Sequence, residues 1–348
     1  MSSLVPEDDV RPGEAVPATP GQAVPLPPPR PGRASATDAS RLSAAGDGVS
    51  EADAVVMPRA GRRAWAVFLR NRTATAGLVV LVGMVLVAII GPQVYGRSAT
   101  DADIFNLAIN SWPSGDHPLG TDSNGIDILA RLMVGMRVSF AVALFAELLN
   151  VLLGVPIGLA AGYFGGTVDF ILSRVADVLF AFPGLLLAIL VVGVFGPGVG
   201  ESAGGLARLA LVIASLSLVG WPLMARYVRA ETLSLRERDF VEAARSLGAS
   251  TPRIIIAHIA PNVVGLVLTA ATLDMAGVVV AEAVLSLLGL GVQPPQASIG
   301  LMVSNAIGVL NLNWTESLFP GLVLTAMVVC FSFVGDGLRD ALDPRTLR

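Results

Sequence analysis

The sequence is poor in charged residues and in the side chains that most enzymes use. Of its 348 residues only 14% are charged; none is lysine, two are histidine and one is cysteine. A single cysteine excludes an intrachain disulfide, so cysteine usage does not indicate a redox compartment. With 53% hydrophobic residues and a mean hydropathy of +0.70, the chain is too apolar for a soluble protein of this length. The composition predicts a polytopic membrane protein.

Sequence patterns typical of catalysis are also missing. The chain has no Walker-type phosphate-binding loop, no HExxH and no GxSxG. Its two histidines, His117 and His258, are predicted to lie at opposite membrane faces. Without a phosphate-binding loop, the chain does not hold ATP by that route. We therefore expect no catalytic residues, no bound cofactor, no metal and no nucleic acid partner.

The N-terminal part differs from the rest of the chain. Residues 1–54 are dominated by proline, alanine, glycine and serine, including PLPPPRPGR at 25–33, and they have no hydrophobic periodicity. Such a composition does not bury enough apolar surface to fold. It predicts a disordered cytoplasmic tail over residues 1–58; a proline-rich docking segment is the alternative. We expect no signal peptide, because no apolar core follows a basic start.

Residues 59–72 predict an amphipathic helix at the membrane surface. Arginines alternate there with apolar residues, namely Arg59, Arg62, Arg63, Arg70 and Arg72 with Trp65, Val67, Phe68 and Leu69. Such a helix is stabilised by arginines at the lipid phosphates and by aromatic rings at the acyl boundary. A plain juxtamembrane linker is the alternative.

Six apolar segments are long enough to cross the hydrocarbon, which takes about 20 helical residues. They are Thr73–Gly96, Val138–Tyr163, Ala176–Phe195, a fourth from near Leu206 to before Arg226, Val263–Leu290 and Leu318–Val334. The sequence thus predicts an all-α integral membrane protein with six transmembrane helices.

The placement of arginine orients these helices. With the N-terminus inside, 19 of the 23 arginines fall in inner segments, and only Arg97, Arg131, Arg137 and Arg208 fall outside. Positively charged residues concentrate in the cytoplasmic loops of membrane proteins. Both termini and the loop between spans four and five are therefore predicted to be cytoplasmic.

The loop between spans four and five has its own helix signals. Ser234 followed by Glu237 fits a capping box, which predicts a helix start near residue 235. Gly248 favours a left-handed helix stop, because glycine has no Cβ to oppose a positive φ. Pro252 suits the first turn of a second helix, and Pro261 is expected to end or kink that helix. These signals predict a helix–glycine–helix elbow.

The segment before span two begins at His117 and reads HPLGTDSNGIDILARLMVGMRVSF. Gly120 and Gly125 predict turns, Asp122 is expected to cap a turn, and Asp127 a helix. A metal site built from His117 and the two aspartates is disfavoured, because no second histidine is near.

The elbow resembles the EAA loop of ABC importer permeases. The match consists of Glu-Ala-Ala at 242–244, a glycine after three further residues, and a proline thirteen positions later. The resemblance implies that the first elbow helix docks in a cytoplasmic ATPase and transmits its movement. The residues implied are Asp239, Glu242, Ala243, Ala244, Arg245, Gly248 and Pro261. From the residues alone, an interfacial hairpin without a partner is the alternative.

Two elbow positions depart from the general pattern. His258 stands where isoleucine is usual, although histidine is usual in the peptide-importer branch, and Ala260 stands where leucine is usual. The smaller side chain of Ala260 is expected to loosen the packing slightly.

Further segments resemble the C-type permease subunits of the dipeptide, oligopeptide and nickel importers. They are HPLGTD, GxD and RL–GxRxS within 117–140, GLAAGYFGG at 158–166, AFP at 181–183, LRERDF at 235–240, LSLLGLGVQP at 285–294 and GDGLRDALDPR at 335–345. Several motifs in one order are far more specific than a single one. One departure is Ile126, which stands where arginine is usual and removes one expected ion pair.

This resemblance implies a type I ABC importer permease in the bacterial inner membrane. The implied partners are a homologous permease chain, two ATPase subunits that hold ATP and magnesium, an extracytoplasmic binding protein and membrane lipid. The implied cargo is di- or oligopeptides, with nickel chelates or other small solutes as the alternative. The implied division is a tail (1–58), an interfacial helix (59–72), a first span with an extracytoplasmic segment (73–137) and a permease domain (138–348) with its loop at 235–262.

Glu147, Asp274 and Glu282 lie inside predicted spans, where a carboxylate costs about 2.5–3.5 kcal/mol. They predict a polar lining of the substrate path or a pair with an arginine of a partner subunit; buried structural hydrogen bonds are the alternative. For Glu282, which matches the family pattern, a structural or subunit-interface role is favoured. Two functions from other classes stay open: an ion-driven secondary transporter that protonates these acids, and an anchoring protein that works through the proline-rich tail.

Overall fold

The computed structural model describes residues 57–101, 109–294 and 296–342. The predicted disordered tail, or docking segment, lies outside the described residues except for its last two positions. The helices are α1 (Met57–Arg70), α2 (Arg72–Tyr95), α3 (Ile128–Phe164), α4 (Gly166–Phe180), α5 (Gly184–Leu235), α6 (Asp239–Ser246), α7 (Thr251–Leu287), α8 (Ile299–Ile307) and α9 (Thr315–Leu342). No β-strand occurs in these ranges, and the prediction of an all-α protein is confirmed.

Within the described residues, five stretches of helix are long and apolar enough to cross a membrane. They are α2, α3, the second arm of α5 at Gly205–Leu235, α7 and α9. A sixth span results if α4 and the first arm of α5, Gly184–Pro197, are counted together. On that count the chain has the six spans predicted.

The third span is not the straight helix predicted over Ala176–Phe195. Its two halves, α4 and Gly184–Pro197, meet at an angle of 79°. Pro183 lies at the break and has a ψ of 119°. Proline has no N–H to continue the helix, and it disfavours helical backbone in the residue before it. The Ala-Phe-Pro sequence therefore makes a corner inside what hydropathy alone presents as one segment.

Most of the spanning helices extend well beyond the predicted spans. α3 has 37 residues and begins at Ile128, ten positions before the predicted start, and α7 begins at Thr251 rather than Val263. A helix of this length measures about 55 Å, whereas the hydrocarbon is about 30 Å thick. Hydropathy detects only the apolar part of each helix, so the polar extensions were missed.

Helix α5 folds back on itself. A straight helix of its 52 residues would be about 78 Å long. Instead, Gly184 lies against Val219, and the Arg208 Nη1 atom donates to the Gly196 carbonyl at 3.2 Å. The two arms, Gly184–Pro197 and Gly205–Leu235, therefore pack together as a hairpin.

A row of glycines brings α3 and α5 into close contact. Gly154, Gly158 and Gly162 are spaced four residues apart and face Met224, Ala225–Val228 and Thr232 in turn. A Cβ atom on Gly158 would lie 2.6 Å from the Ala225 carbonyl oxygen. Small residues at this spacing let helix backbones approach closely inside a membrane. The row determines the spacing between α3 and α5.

The first helix is present over Met57–Arg70. Its aromatic rings were predicted at the acyl boundary, but the Phe68 ring is buried in the bundle instead. Phe68 is only 2% exposed and packs against Gly337 of α9. Trp65, which is 53% exposed, stacks on Phe68 with ring centroids 5.5 Å apart. The absence of a side chain at Gly337 leaves room for the Phe68 ring, a long-range contact that local sequence does not reveal.

A π-helical turn lies at the start of α7. It covers Ile254–Ile259, and the Ala260 N–H bonds to the Ile255 carbonyl. The helix continues through Pro261 to Leu287, so of the two predicted effects of Pro261, a helix end or a kink, the helix end is wrong. Proline leaves a carbonyl of the preceding turn without its N–H, and the wider π turn accommodates this defect. Asn262 satisfies one carbonyl of this turn, because its side-chain amide donates to the His258 carbonyl at 2.6 Å.

Candidate functional site

The elbow between α5 and α7 begins later than its sequence suggested. The capping box at Ser234 and Glu237 does not form: Ser234 lies in the last turn of α5, and α6 starts at Asp239 without a side-chain cap. Helix α5 instead continues to residue 235, and the side chain of the next residue, Arg236, reaches α3. Its guanidinium donates to the Gly162 carbonyl at 3.1 Å and so satisfies the C-terminal end of α3.

Gly248 ends the first elbow helix as predicted. Its φ is +81°. The Ala249 N–H bonds to the Ala244 carbonyl and the Gly248 N–H to the Arg245 carbonyl, both at 3.0 Å. This pair of bonds is the Schellman motif, which uses a left-handed residue to satisfy the last helical carbonyls. The chain then reverses and α7 starts at Thr251 with proline in its first turn.

The two faces of α6 differ in character. Val241 (0% exposed) and Ala244 (8% exposed) are buried among Met224, Val228, Ile254 and Ile259. Phe240, Ala243 and Leu247 are exposed on the neighbouring face, and Leu247 is 88% exposed. We call these three residues the elbow ridge. Ala244, which the resemblance implies as part of the ATPase contact, packs against the chain's own core, so only Ala243 of the alanine pair is exposed to a partner.

Charged side chains border the elbow ridge. Asp239, Glu242 and Arg245 are all exposed, and none forms an ion pair with another described residue. An exposed apolar ridge with a polar rim is the usual composition of a protein–protein contact surface. Local sequence rules predicted the helix and its stop but not which alanine would be buried.

Glu147 is buried between α3 and the second arm of α5. It is 2% exposed and accepts a hydrogen bond from the Asn150 amide at 2.9 Å. Its second oxygen, and the Asn150 side-chain oxygen, have no hydrogen-bond partner among the described residues. Asn150 itself packs against Gly220 of α5. The pair therefore leaves two acceptors unused inside the bundle.

Glu282 is buried in a group of serines. It is 0% exposed and accepts hydrogen bonds from the hydroxyls of Ser139 at 3.3 Å and Ser286 at 2.8 Å. Ser139 also accepts the Ile299 N–H at 3.2 Å, while Ser298 caps α8. These bonds join α3, α7 and α8, which is the geometry of a structural hydrogen-bond centre.

Asp274 opens onto a cleft between α5, α7 and α9. The cleft has a volume of about 540 Å³, and its polar lining includes Tyr227, Glu231, Asn262, Asp274 and Arg339. Carboxylates of α5 and α7 and a guanidinium of α9 thus face one space. Among the three acids predicted inside the spans, Asp274 lines this space, whereas Glu147 and Glu282 are enclosed.

The acids before α3 stabilise turns and a helix start, as their spacing predicted. Asp127 caps α3 by accepting the Ala130 N–H at 2.9 Å, and its other oxygen contacts the His117 Nδ1 at 2.9 Å. The Tyr95 hydroxyl donates to that same oxygen at 2.8 Å, which ties the end of α2 to the start of α3. Gly120 and Gly125 have φ of +84° and +77° and form the predicted turns.

Asp122 holds the same loop from its other side. It accepts the N–H groups of Asn124 at 2.9 Å and Ile126 at 2.8 Å, and it pairs with Arg131. Ile126, in the position where the family has arginine, is 9% exposed and packs as a buried apolar residue. No set of three or more histidine, cysteine or acidic side chains in the described ranges is arranged to hold a metal ion.

Two residues at the start of α9 complete this cluster. Glu316 accepts the Ser123 N–H at 3.1 Å, and the Asn313 amide donates to the Thr121 carbonyl at 3.2 Å. About 190 residues separate each pair along the chain. Sequence reasoning missed both, and no local signal marks them.

Comparison with known proteins identifies related sequences over most of the chain. Residues 154–348 match the family described as binding-protein-dependent transport system inner membrane component, and residues 60–113 match the N-terminal transmembrane domain of oligopeptide transport permease C. A dipeptide transport system permease protein of Bacillus subtilis is 36% identical over 301 residues, covering 86% of this chain and 90% of that protein.

Other relatives have similar coverage. An oligopeptide transport permease of Haemophilus influenzae is 35% identical, covering 80% of this chain and 86% of the relative. A glutathione transport permease of Pectobacterium atrosepticum is 38% identical, covering 82% and 91%. A solved structure of the MetNI methionine ABC transporter in an inward-facing conformation matches with a TM-score of 0.49 and 21% identity, over 61% of this chain and 96% of that one.

Proposed function

This chain belongs to the binding-protein-dependent transport permeases, and we propose that it is the membrane-spanning permease subunit of an ATP-driven ABC importer for peptides. Membership of the family assigns its helices to the type I importer permease fold and its location to the bacterial inner membrane. The observation that carries this conclusion is the pair of family matches together with 36% identity to a dipeptide permease across 86% of the chain.

The elbow ridge is the proposed contact with a cytoplasmic ATPase. Phe240, Ala243 and Leu247 present an apolar surface that the described part of the chain leaves uncovered. Apolar residues at this spacing occupy one face of a helix, which suits insertion into a groove of a partner. Because Val241 and Ala244 of the same helix pack on α5 and α7, movement of the ridge is transmitted directly to two spanning helices.

The remaining partners follow from the same proposal. A second permease chain completes the translocation pathway, two ATPase subunits supply ATP and magnesium, and an extracytoplasmic binding protein delivers the cargo. The chain itself carries out no catalysis.

The cleft at Asp274 is the proposed part of the pathway contributed by this chain. It is lined by acidic groups, Glu231 and Asp274, and by the basic group of Arg339. A peptide carries an ammonium group at one end and a carboxylate at the other, so charges of both signs suit it. Ionisable residues within spanning helices commonly mark substrate pathways. Glu147 and Glu282 are enclosed in this conformation and are proposed as structural groups.

Peptide uptake in proteoliposomes tests the proposed function. The full complex contains this chain, its partner permease, the ATPases and the binding protein. It is expected to accumulate a labelled dipeptide only when ATP is present on the side of the membrane that holds the ATPases. Asp274→Asn is expected to lower uptake while leaving basal ATP hydrolysis unchanged. Uptake that persists without ATP and collapses with a protonophore would instead establish a secondary transporter.

Orientation is tested separately by cysteine labelling. In a Cys330→Ala background, Ser114→Cys is expected to react with an impermeant maleimide added to intact cells, because Ser114 lies in the loop before α3. Ser250→Cys, in the elbow, is expected to react only after permeabilisation. Both serines are exposed, so accessibility differs only by membrane side. Labelling of Ser250→Cys in intact cells would contradict the arginine-based orientation.

A further inference from the structure

An apolar groove that the proposed function does not use runs along the outside of the bundle between α2 and α3. Its volume is about 360 Å³. Leu81 and Ile89 of α2 and Phe140 and Phe145 of α3 form its walls, and Phe331 of α9 lies in its floor. The Phe140 and Phe331 rings meet edge to face with centroids 6.0 Å apart. Grooves of a few hundred cubic ångströms with mostly apolar linings are typical small-molecule sites.

Arg137 is the one charged residue in the lining of this groove. It is exposed, and it has neither an ion pair nor a hydrogen bond with any described residue. An arginine against apolar surface within a membrane helix is costly and is normally paired with another group. The groove therefore combines an unpaired positive charge with an apolar slot beneath it.

The charge lies at one end of the slot. The hydrogen bond from Tyr95 to Asp127 marks the end of the bundle where α2 stops and α3 begins. Arg137 and Ile89 are the lining residues nearest that end, whereas Leu81 and Phe145 lie eight residues further along their helices, a distance of about 12 Å. Met275 and Phe331, near the middles of α7 and α9, border the deep part. The slot thus descends from a charged rim toward the centre of the membrane.

We propose that this groove binds an anionic phospholipid, with the phosphate on Arg137 and an acyl chain along the slot between α2 and α3. Arginine is well suited to phosphate, because its guanidinium can form two parallel hydrogen bonds. In the orientation proposed above, the lipid comes from the outer leaflet.

Photo-crosslinking in nanodiscs tests this site on the full complex. Two probes are compared, phosphatidylglycerol and phosphatidylcholine, with the same diazirine-bearing acyl chain. The anionic probe is expected to label the α2 and α3 peptides of the groove about fivefold more than the neutral one, the preference that one arginine gives an anionic headgroup. Arg137→Gln is expected to remove this preference, and Arg137→Lys to keep most of it.

Two further variants separate the charge from the slot. Ala141→Trp fills the slot and is expected to reduce labelling by both probes. Arg174→Gln is the matched control, since Arg174 is also exposed but lies over the Phe170 ring, 5.1 Å from its centroid; it is expected to leave the preference unchanged. Equal labelling by the two probes, or a preference that survives Arg137→Gln, would overturn the proposal. Labelling in the isolated chain that disappears in the complex would also overturn it, because a partner subunit would then cover the groove.

Discussion

Gly158→Leu is expected to remove most of the folded protein from the membrane. The first added carbon would lie 2.6 Å from the Ala225 carbonyl oxygen and 2.7 Å from the Val228 Cβ, and neither atom is the far end of a flexible side chain. Overpacking of this kind costs about 1–3 kcal/mol when only one side chain must move. Here two helices must separate, so the cost is at or above the upper end. The measurement is the fraction of monodisperse protein after solubilisation and its thermal midpoint, by fluorescence-detected size exclusion.

Gly193→Leu is the matched control for that experiment. Gly193 is also a helical glycine within an apolar arm, but nothing lies within 4 Å of the position that its Cβ would take. Its substitution is expected to leave yield and thermal midpoint within error of the parent chain. Equal behaviour of Gly158→Leu and Gly193→Leu would mean that the glycine row does not determine the spacing of α3 and α5.

Gly248→Val is expected to abolish most peptide uptake while leaving the spanning helices folded. The position has open space around it but a φ of +81°, so backbone strain alone opposes the side chain. That strain is about 1–2 kcal/mol, and larger for a β-branched residue. A shift of that size changes the population of the native elbow by roughly 5–30-fold. Either the ATPases detach, or they remain bound and hydrolyse ATP without transport.

Gly248→Asn provides the control for strain. Asparagine tolerates the left-handed region better than other residues with a Cβ, so uptake is expected to stay near the parent level. Uptake in vesicles is measured alongside ATPase content per purified complex, which distinguishes detachment from uncoupling. Normal uptake by Gly248→Val would show that the elbow does not couple ATP hydrolysis to transport.

Glu242→Ala is expected to lower uptake less than Gly248→Val, since it removes an exposed contact and keeps the helix.

Features governed by neighbouring residues were predictable from the sequence. Gly248 has a positive φ because glycine has no Cβ, and Asp127 caps α3 because it stands directly before an apolar helix. Each feature is decided within a single turn of the chain. The number of spans also follows from short windows, since about 20 apolar residues suffice to cross the hydrocarbon. These features need no knowledge of what packs against them.

Features that depend on distant contacts were not predictable. Ala243 and Ala244 are adjacent and identical, and only the positions of α5 and α7 decide that Ala244 is buried. Phe68 looked like an interfacial aromatic because nothing near it in sequence indicates the space at Gly337. Ser234 and Glu237 satisfied a local rule for a helix start, but no helix starts there, and Arg236 between them contacts the end of α3, more than 70 residues away.

The π-helical turn at Ile254–Ile259 sets the rotational phase between the elbow and the bundle. Inserting one residue into a regular helix rotates the preceding part of the chain by about 100° relative to the following part. Such a rotation would turn the elbow ridge away from its present direction. The wide turn absorbs that residue, and Ile254, Ile259 and Val263 stay on one buried face. A chain with one residue fewer here would keep the same face with an ordinary α-helix. The length of the chain at this point is therefore free to vary by one residue without misdirecting the surface offered to a partner.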